Sequence, residues 1–372
     1  MTGIDRVEAA WAAELGKQGK PAFALIRSAA GFLLLDGAGI AALFGDPLPA
    51  RADWLARLGH RRHPLRARAE TLARRLAVAR CSRIGLARLL RRRFPAGGTY
   101  LNLGHANLTD RSLRQIRQAG FAVHVLIHDT IPLDRPDLVR AGTVEPFRRK
   151  LRAVARHADR VIHPTAATRR QTEAQLARLG AVPPGVVAPL GIPPAAAEPL
   201  AGMDLSRPYF VALGTIEPRK NLGLLLDAWA LLPDPPPLLV VGTRGWAGAD
   251  LLARLDALPA DGPVREVGGL SDGAVSALLA GARALLFPSL AEGFGLPPLE
   301  AAALGTPVVA LDRPVIREIL GDYPVYLKES DRYSWAAKIE ELVRTADRAG
   351  PKDTGIVLPT WEAHFNTVLN SA

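Results

Sequence analysis

The chain has 372 residues, with 47 Lys and Arg against 36 Asp and Glu, and a single cysteine, Cys81. At roughly 100–200 residues per domain this length points to two domains, and 48% hydrophobic with 22% charged residues excludes wholesale disorder. One cysteine excludes an internal disulfide framework and a Cys-rich zinc site. No apolar run reaches the ~18–20 residues needed to cross a bilayer, and residues 1–20 lack the apolar centre of a signal peptide. A soluble intracellular protein is expected.

In chain order, apolar strand-like runs alternate with helix-like stretches. Strands are predicted over 22–27, 32–35, 99–103, 121–127, 160–163 and 186–188. Helices are predicted over 5–15, 62–92, 110–118, 144–156 and 166–179. The stretch 51–93 carries fourteen arginines and two acids, Asp53 and Glu70. Such a stretch attracts an anionic surface or forms an Arg-rich solvated helix face; both readings stay open. Proline is too dense over 189–199 for a helix or central strand, which places the domain linker there. A second series then begins: strands over 209–213, 238–241, 264–267, 284–287, 307–310 and 325–327, with helices over 222–231, 249–257, 272–280, 297–303, 314–319 and 333–346. This alternation argues for two doubly wound, Rossmann-like α/β domains facing across a cleft, with ligands beyond the carboxyl ends of the strands.

Two loops carry chemistry. The segment 287–300, FPSLAEGFGLPPLE, runs from a strand end through Glu292, Gly293, Phe294 and Gly295 into a helix near Pro297. Unpaired N–H groups and the helix dipole make an anion site there, and the glycines admit a ligand against the backbone. Glu292 and Glu300 are two carboxylates able to accept hydrogen bonds from sugar hydroxyls. The segment 214–221, GTIEPRKN, follows a strand and precedes a helix that Asn221 is expected to cap. Arg219 and Lys220 are cations suited to a diphosphate, and they oppose the helix dipole unless an anion is bound.

These segments, with VVGTRGW at 240–246 and the continuation to Ala310, resemble the donor-binding domain of glycosyltransferase family 4. The resemblance implies a GT-B fold and retaining transfer from a nucleotide diphosphate sugar without a metal or other cofactor. It implies that Glu300 binds the nucleotide ribose. Glu292, with Gly293, Phe294, Gly295 and Leu296, would hold the transferred sugar. Gly214, Thr215, Arg219 and Lys220 would hold the diphosphate. Thr215 stands where many members have arginine, so Arg219 or Arg244 is expected to take more of the phosphate charge. In the first domain His128, followed by Asp129, resembles the family's strand-end histidine near the reacting carbon. Glu292 as a covalent nucleophile is a variant. Gly3, Ile4 and Arg6 resemble the family's glycine loop for phosphate or acceptor, with the preceding strand absent from this chain.

The domains implied are 1–192 on the acceptor side, 200–350 for the donor, and a terminal helix within 356–372 packing back on the first, with Trp361 and Phe365 on its apolar face. A metal between His124 and His128 is excluded, because four residues of strand separate the rings by ~13 Å. GTIEPRKN (214–221) and HDTIP (128–132) resemble bacterial mannosyltransferases of polysaccharide or O-antigen assembly. The expected donor is GDP-mannose, with UDP-sugars open, and the expected acceptor is a glycan or polyprenyl-diphosphate-linked glycan. The expected location is cytoplasmic, peripheral at the inner face of the plasma membrane through 51–93. The alternatives are a GT-B sugar-nucleotide epimerase and a non-catalytic basic binder. Nucleic acid is not an expected partner, since Trp54 and Phe94 alone do not make an interleaved stacking pattern.

Overall fold

The computed structural model describes residues 3–17, 21–192, 198, 205–328, 331–345 and 356–370. Of the expected linker, residues 193–197 and 199 lie outside them, as do residues 1–2.

The chain opens with helix α1 (Gly3–Lys17), which buries Val7 and Trp11. Gly3, Ile4 and Arg6 therefore sit in a helical turn, not in a glycine loop. Next come β1 (Ala24–Arg27), β2 (Phe32–Leu35) and β3 (Ala79–Cys81), an antiparallel sheet in that order. The single helix expected over 62–92 is two helices, Pro64–Leu76 and Leu86–Arg93, separated by β3. The physical reason is the open edge of β2: residues 79–81 satisfy its backbone groups, which an uninterrupted helix would leave unpaired.

Four parallel strands follow, β4 (Gly98–Asn102), β5 (Phe121–Leu126), β6 (Arg160–His163) and β7 (Gly185–Val187), side by side in chain order. Right-handed crossovers advancing in one direction put their helices on one face. Asp110–Gln118, Val144–His157 and Ala166–Leu179 occupy it, where Leu113, Ile116, Leu151, Val154 and Leu176 pack on Val123, Val125 and Val161. Alternation along β5 and β6 turns Leu126 and Ile162 to the other face. There they join Val7 and Trp11 of α1 and Phe365 and Val368 of the last helix, Trp361–Asn370. The Trp11 and Phe365 rings meet edge to face at 4.9 Å. The Trp11 indole N–H donates to His364 Nε2 at 3.1 Å, and His364 Nδ1 lies 3.0 Å from the Ala188 carbonyl. That carbonyl requires the proton on Nδ1 and leaves Nε2 free to accept.

The second unit is a six-stranded parallel sheet: β8 (Phe210–Leu213), β9 (Leu238–Val241), β10 (Val264–Val267), β11 (Ala284–Phe287), β12 (Val308–Leu311) and β13 (Val325–Leu327). Its order is β10-β9-β8-β11-β12-β13, so the winding reverses between β8 and β11. Phe210 and Ala212 face one core, with Leu225, Trp229 and Trp335, while Val211 faces the other, with Leu278, Leu285 and Leu299. Both faces are thus covered by helices. The connections leaving β8 and β11 diverge at their carboxyl ends and open the crevice in which doubly wound sheets bind ligands.

Candidate functional site

A small cavity at that switch point is lined by Gly214, Thr215, Lys220, Phe287, Pro288 and Ser289, among others. After β8 the chain makes a 3₁₀ turn, Pro218–Lys220, and enters the helix Leu222–Trp229. Asn221 stands at the junction in the left-handed region, φ 52°, and makes no side-chain cap hydrogen bond, contrary to the capping expected of it. Its tolerance for that conformation is what the turn uses. The turn aims both cations at the loop after β11. Lys220 Nζ lies 2.6 Å from Glu292 Oε1 and 4.7 Å from the centre of the Phe287 ring. Arg219 Nη1 lies 2.8 Å from the same oxygen, while its Nε pairs with the buried Glu217. The Leu290 N–H donates to the Arg219 carbonyl at 2.8 Å, tying the two loops together.

Burial alone pushes the Glu292 carboxyl toward protonation, but Arg219 and Lys220 outweigh it and hold it down at about 2. Glu292 is therefore a pure acceptor. Burial lowers Lys220 from its ordinary value, opposed by Glu292. Glu217 is raised, chiefly by burial.

The loop after β11 meets the first unit at Gly293. A Cβ there would lie 2.1 Å from the His128 carbonyl oxygen and 2.9 Å from Asp129 Cβ, so only glycine fits. The Gly293 carbonyl accepts from Thr168 Oγ1 at 2.7 Å. His128 lies just past β5, with Nε2 2.6 Å from the Leu103 carbonyl. Burial depresses its basicity, so the neutral ring donates from Nε2 and keeps Nδ1 as an acceptor. Asp129 accepts from the Ile131 N–H at 3.1 Å, and burial raises it against the pull of Arg219. Gly295, at φ 95°, turns the chain into the helix Leu296–Ala303, with Phe294 buried behind it. Glu300 lies just over one turn into that helix. It is paired with Arg6 of α1, Nη1 to Oε1 at 2.5 Å, while Arg6 Nη2 meets Asp272 at 2.7 Å. Burial raises Glu300, with Arg6 opposing.

The structure thus brings Gly214, Thr215, Arg219, Lys220, Glu292, Gly293 and Gly295 to one crevice, with His128 and Asp129 against Gly293. It does not bring Arg244 there: that guanidinium is held on the surface by Asp256 at 2.6 Å and Glu266 at 2.5 Å. Two carboxylates on neighbouring elements outcompete the crevice for it. Glu217, Thr168, Asp272 and His105 escaped the sequence reading. The His105 ring stands 5.3 Å from that of His128. Its signal was its place just past β4, the strand beside β5. Among the described residues, no group of three or more His, Cys, Asp or Glu is placed to hold a metal ion. Among the same residues, no helix is long and apolar enough to cross a membrane.

Residues 201–350, which contain the β8 and β11 loops, match the family model described as "Glycosyl transferases group 1". Residues 201–350 thus form a domain of the group 1 glycosyltransferase type. The chain is 32% identical over 278 residues to the serotype-specific mannosyltransferase WbdA of Escherichia coli, which covers 69% of this chain and 34% of that protein. It is 40% identical over 118 residues, 31% of each chain, to the O-antigen chain mannosyltransferase B of Escherichia coli. The chain therefore spans about a third of the length of these curated relatives. Among solved structures it resembles Anabaena HepE in complex with UDP-glucose, with a TM-score of 0.54, 17% identity and 77% of each chain covered. That likeness is one of fold: the glycosyltransferase domain and the unit before it form a GT-B pair.

Proposed function

We propose that this chain transfers a sugar, mannose first among candidates, from a nucleotide diphosphate sugar to a glycan or lipid-linked glycan, with retention and without a metal. The observation that carries this reading is the Arg219–Glu292–Lys220 cluster at the carboxyl ends of β8 and β11, facing His128 across Gly293. Arg219 and Lys220 supply positive charge where a leaving diphosphate gains negative charge. Glu292, ionised and acceptor-only, suits sugar hydroxyls, and Glu300 suits those of the ribose. Glu292 Oε1 is held by two cations, which blunts it as a covalent nucleophile. Retention then rests on attack by the acceptor from the face the diphosphate leaves, the departing phosphate oxygen taking its proton, with positioning and electrostatics as the protein's share. The likeness to the mannosyltransferase WbdA and to the O-antigen chain mannosyltransferase B supports mannose as the sugar and an O-antigen-type polysaccharide as the acceptor; GDP-mannose is the donor we propose.

The test is a thermal-shift panel of GDP-mannose, UDP-glucose, GDP and UDP with EDTA present, followed by product analysis with the donor that binds. A ligand that binds only the folded state raises apparent stability. A shift with one nucleotide class, lost in Glu300→Ala, supports the reading; no shift with any of them sinks it.

A peripheral location at the inner face of the plasma membrane belongs to the same proposal. Asp53 and Glu70 both turn onto Arg74, which leaves the other arginines of 51–93 without an acid of that stretch beside them. Trp54 and Ile84, 68% and 80% exposed, belong to the same stretch of sequence. An apolar and basic surface of this kind binds anionic headgroups. Co-sedimentation with vesicles of anionic but not neutral lipid at low salt is expected; equal recovery with both removes this part of the proposal.

A further inference from the structure

The ribose carboxylate of the proposed donor site is already occupied by the protein itself. Arg6 reaches from α1, which is packed on the first unit, to the helix Leu296–Ala303 of the second. Its Nη1 takes Glu300 and its Nη2 takes Asp272, the first residue of the helix Asp272–Gly281. The Arg6–Glu300 pair is mostly shielded, at 21% and 15% side-chain exposure. Arg6 Nε is buried and has no hydrogen-bond partner. A buried donor left unpaired subtracts from what the two ion pairs contribute, so the contact is real but displaceable. Two other polar ties between the units, among the described residues, are of a different kind. Glu318 accepts from the Ala166 and Ala167 N–H groups at 2.5 and 2.8 Å, and Thr168 donates to Gly293. None of them consumes a carboxylate proposed to take a donor hydroxyl.

We propose that Arg6 is an internal competitor for the donor nucleotide, an affinity-setting residue that must leave Glu300 before a ribose diol can bind there. This rests on the donor reading of Glu300. Loss of the competitor strengthens nucleotide binding, whereas loss of an ordinary ligand-contacting arginine weakens it, so the sign of the effect decides. A partly shielded ion pair of this geometry corresponds to about a fivefold change in affinity.

The experiment is calorimetric titration of the whole chain with the nucleoside diphosphate that gives the largest thermal shift. Wild type, Arg6→Ala, Asp272→Asn, Glu300→Ala and the Arg6→Ala/Glu300→Ala double variant are compared. Arg6→Ala is expected to bind about fivefold more tightly. Asp272→Asn, which removes one of the two acids that hold Arg6 over this site, is expected to shift in the same direction by less. The double variant is expected to match Glu300→Ala, because the competition exists only through that carboxylate. Weaker or unchanged binding by Arg6→Ala, with Glu300→Ala still impaired, overturns the competitor and leaves the donor site standing. Wild-type binding by Glu300→Ala, or no binding by wild type, overturns the donor reading and the competitor with it. Should Arg6→Ala fail to fold, Asp272→Asn carries the same test, and its unchanged affinity overturns the proposal.

Discussion

Neutralising Glu292 separates its electrostatic role from mere packing. In Glu292→Gln the size is kept and the charge is lost. The wild-type side chain is 8% exposed, with Lys220 and Arg219 at 13% and 24%. Breaking one side of a buried pair typically costs ~3–5 kcal/mol, because the partner charge stays buried without compensation. Arg219 retains Glu217, so the loss falls mainly on Lys220, and the lower end, about 3 kcal/mol, applies. At roughly 2–4 °C per kcal/mol for a domain of this size, Tm falls by roughly 6–12 °C. A diphosphate brings back the missing negative charge, so GDP or pyrophosphate should raise the Tm of the variant more than that of wild type. Sugar transfer, on the proposed role of this carboxylate in holding the donor sugar, should fall by ~10²–10³. The assay is differential scanning fluorimetry with and without diphosphate, beside product analysis. An unchanged Tm, or a smaller diphosphate shift than in wild type, would refute the argument that Glu292 holds two buried cations in place.

Three other outcomes follow from the geometry. Gly293→Ala places a methyl 2.1 Å from the His128 carbonyl oxygen, so the units cannot meet there. Transfer should fall at least about a hundredfold while nucleotide binding to the isolated second-unit loops persists, and wild-type turnover would show that this approach is not used. Trp11→Ala empties the junction between α1, the last helix and the β5–β6 face, and should cost ~3–5 kcal/mol in denaturant unfolding; a change below ~1 kcal/mol would mean that this junction is not structural. His163 is fully buried, and burial holds its ring down at about 4, with neither ring nitrogen hydrogen-bonded. The unfolded chain protonates it near the ordinary 6.5, so its share of stability is complete above 6.5 and is lost as pH falls from there through about 4. His163→Leu should flatten that part of the Tm–pH curve; an unchanged curve rejects the assignment.

Much of the site was legible because its parts are local. The Glu-x7-Glu spacing, the glycines around Phe294 and the adjacent Arg219 and Lys220 each lie within one strand–loop–helix step, where backbone chemistry dictates position. Alternating strands and helices with breaks between them announced parallel sheets for the same reason. What escaped involved competition between distant groups. Arg244 looked available in sequence, yet Asp256 and Glu266 claim it. Residues 62–92 have helical composition throughout, but the unpaired edge of β2 recruits 79–81 into a strand. Asn221 stands at the expected boundary, yet serves it by its backbone conformation rather than its side chain.

The amino-acid sequence on its own determined which loops carry charge and flexibility at the strand ends, since these depend on neighbours a few residues away. Only the tertiary structure decided that the second face of the first sheet is closed by the first and last helices together. It alone decided that Arg6 rests on Glu300, 294 residues away. Pairings at that separation are set by how two sheets and their helices pack, and no local spacing records them.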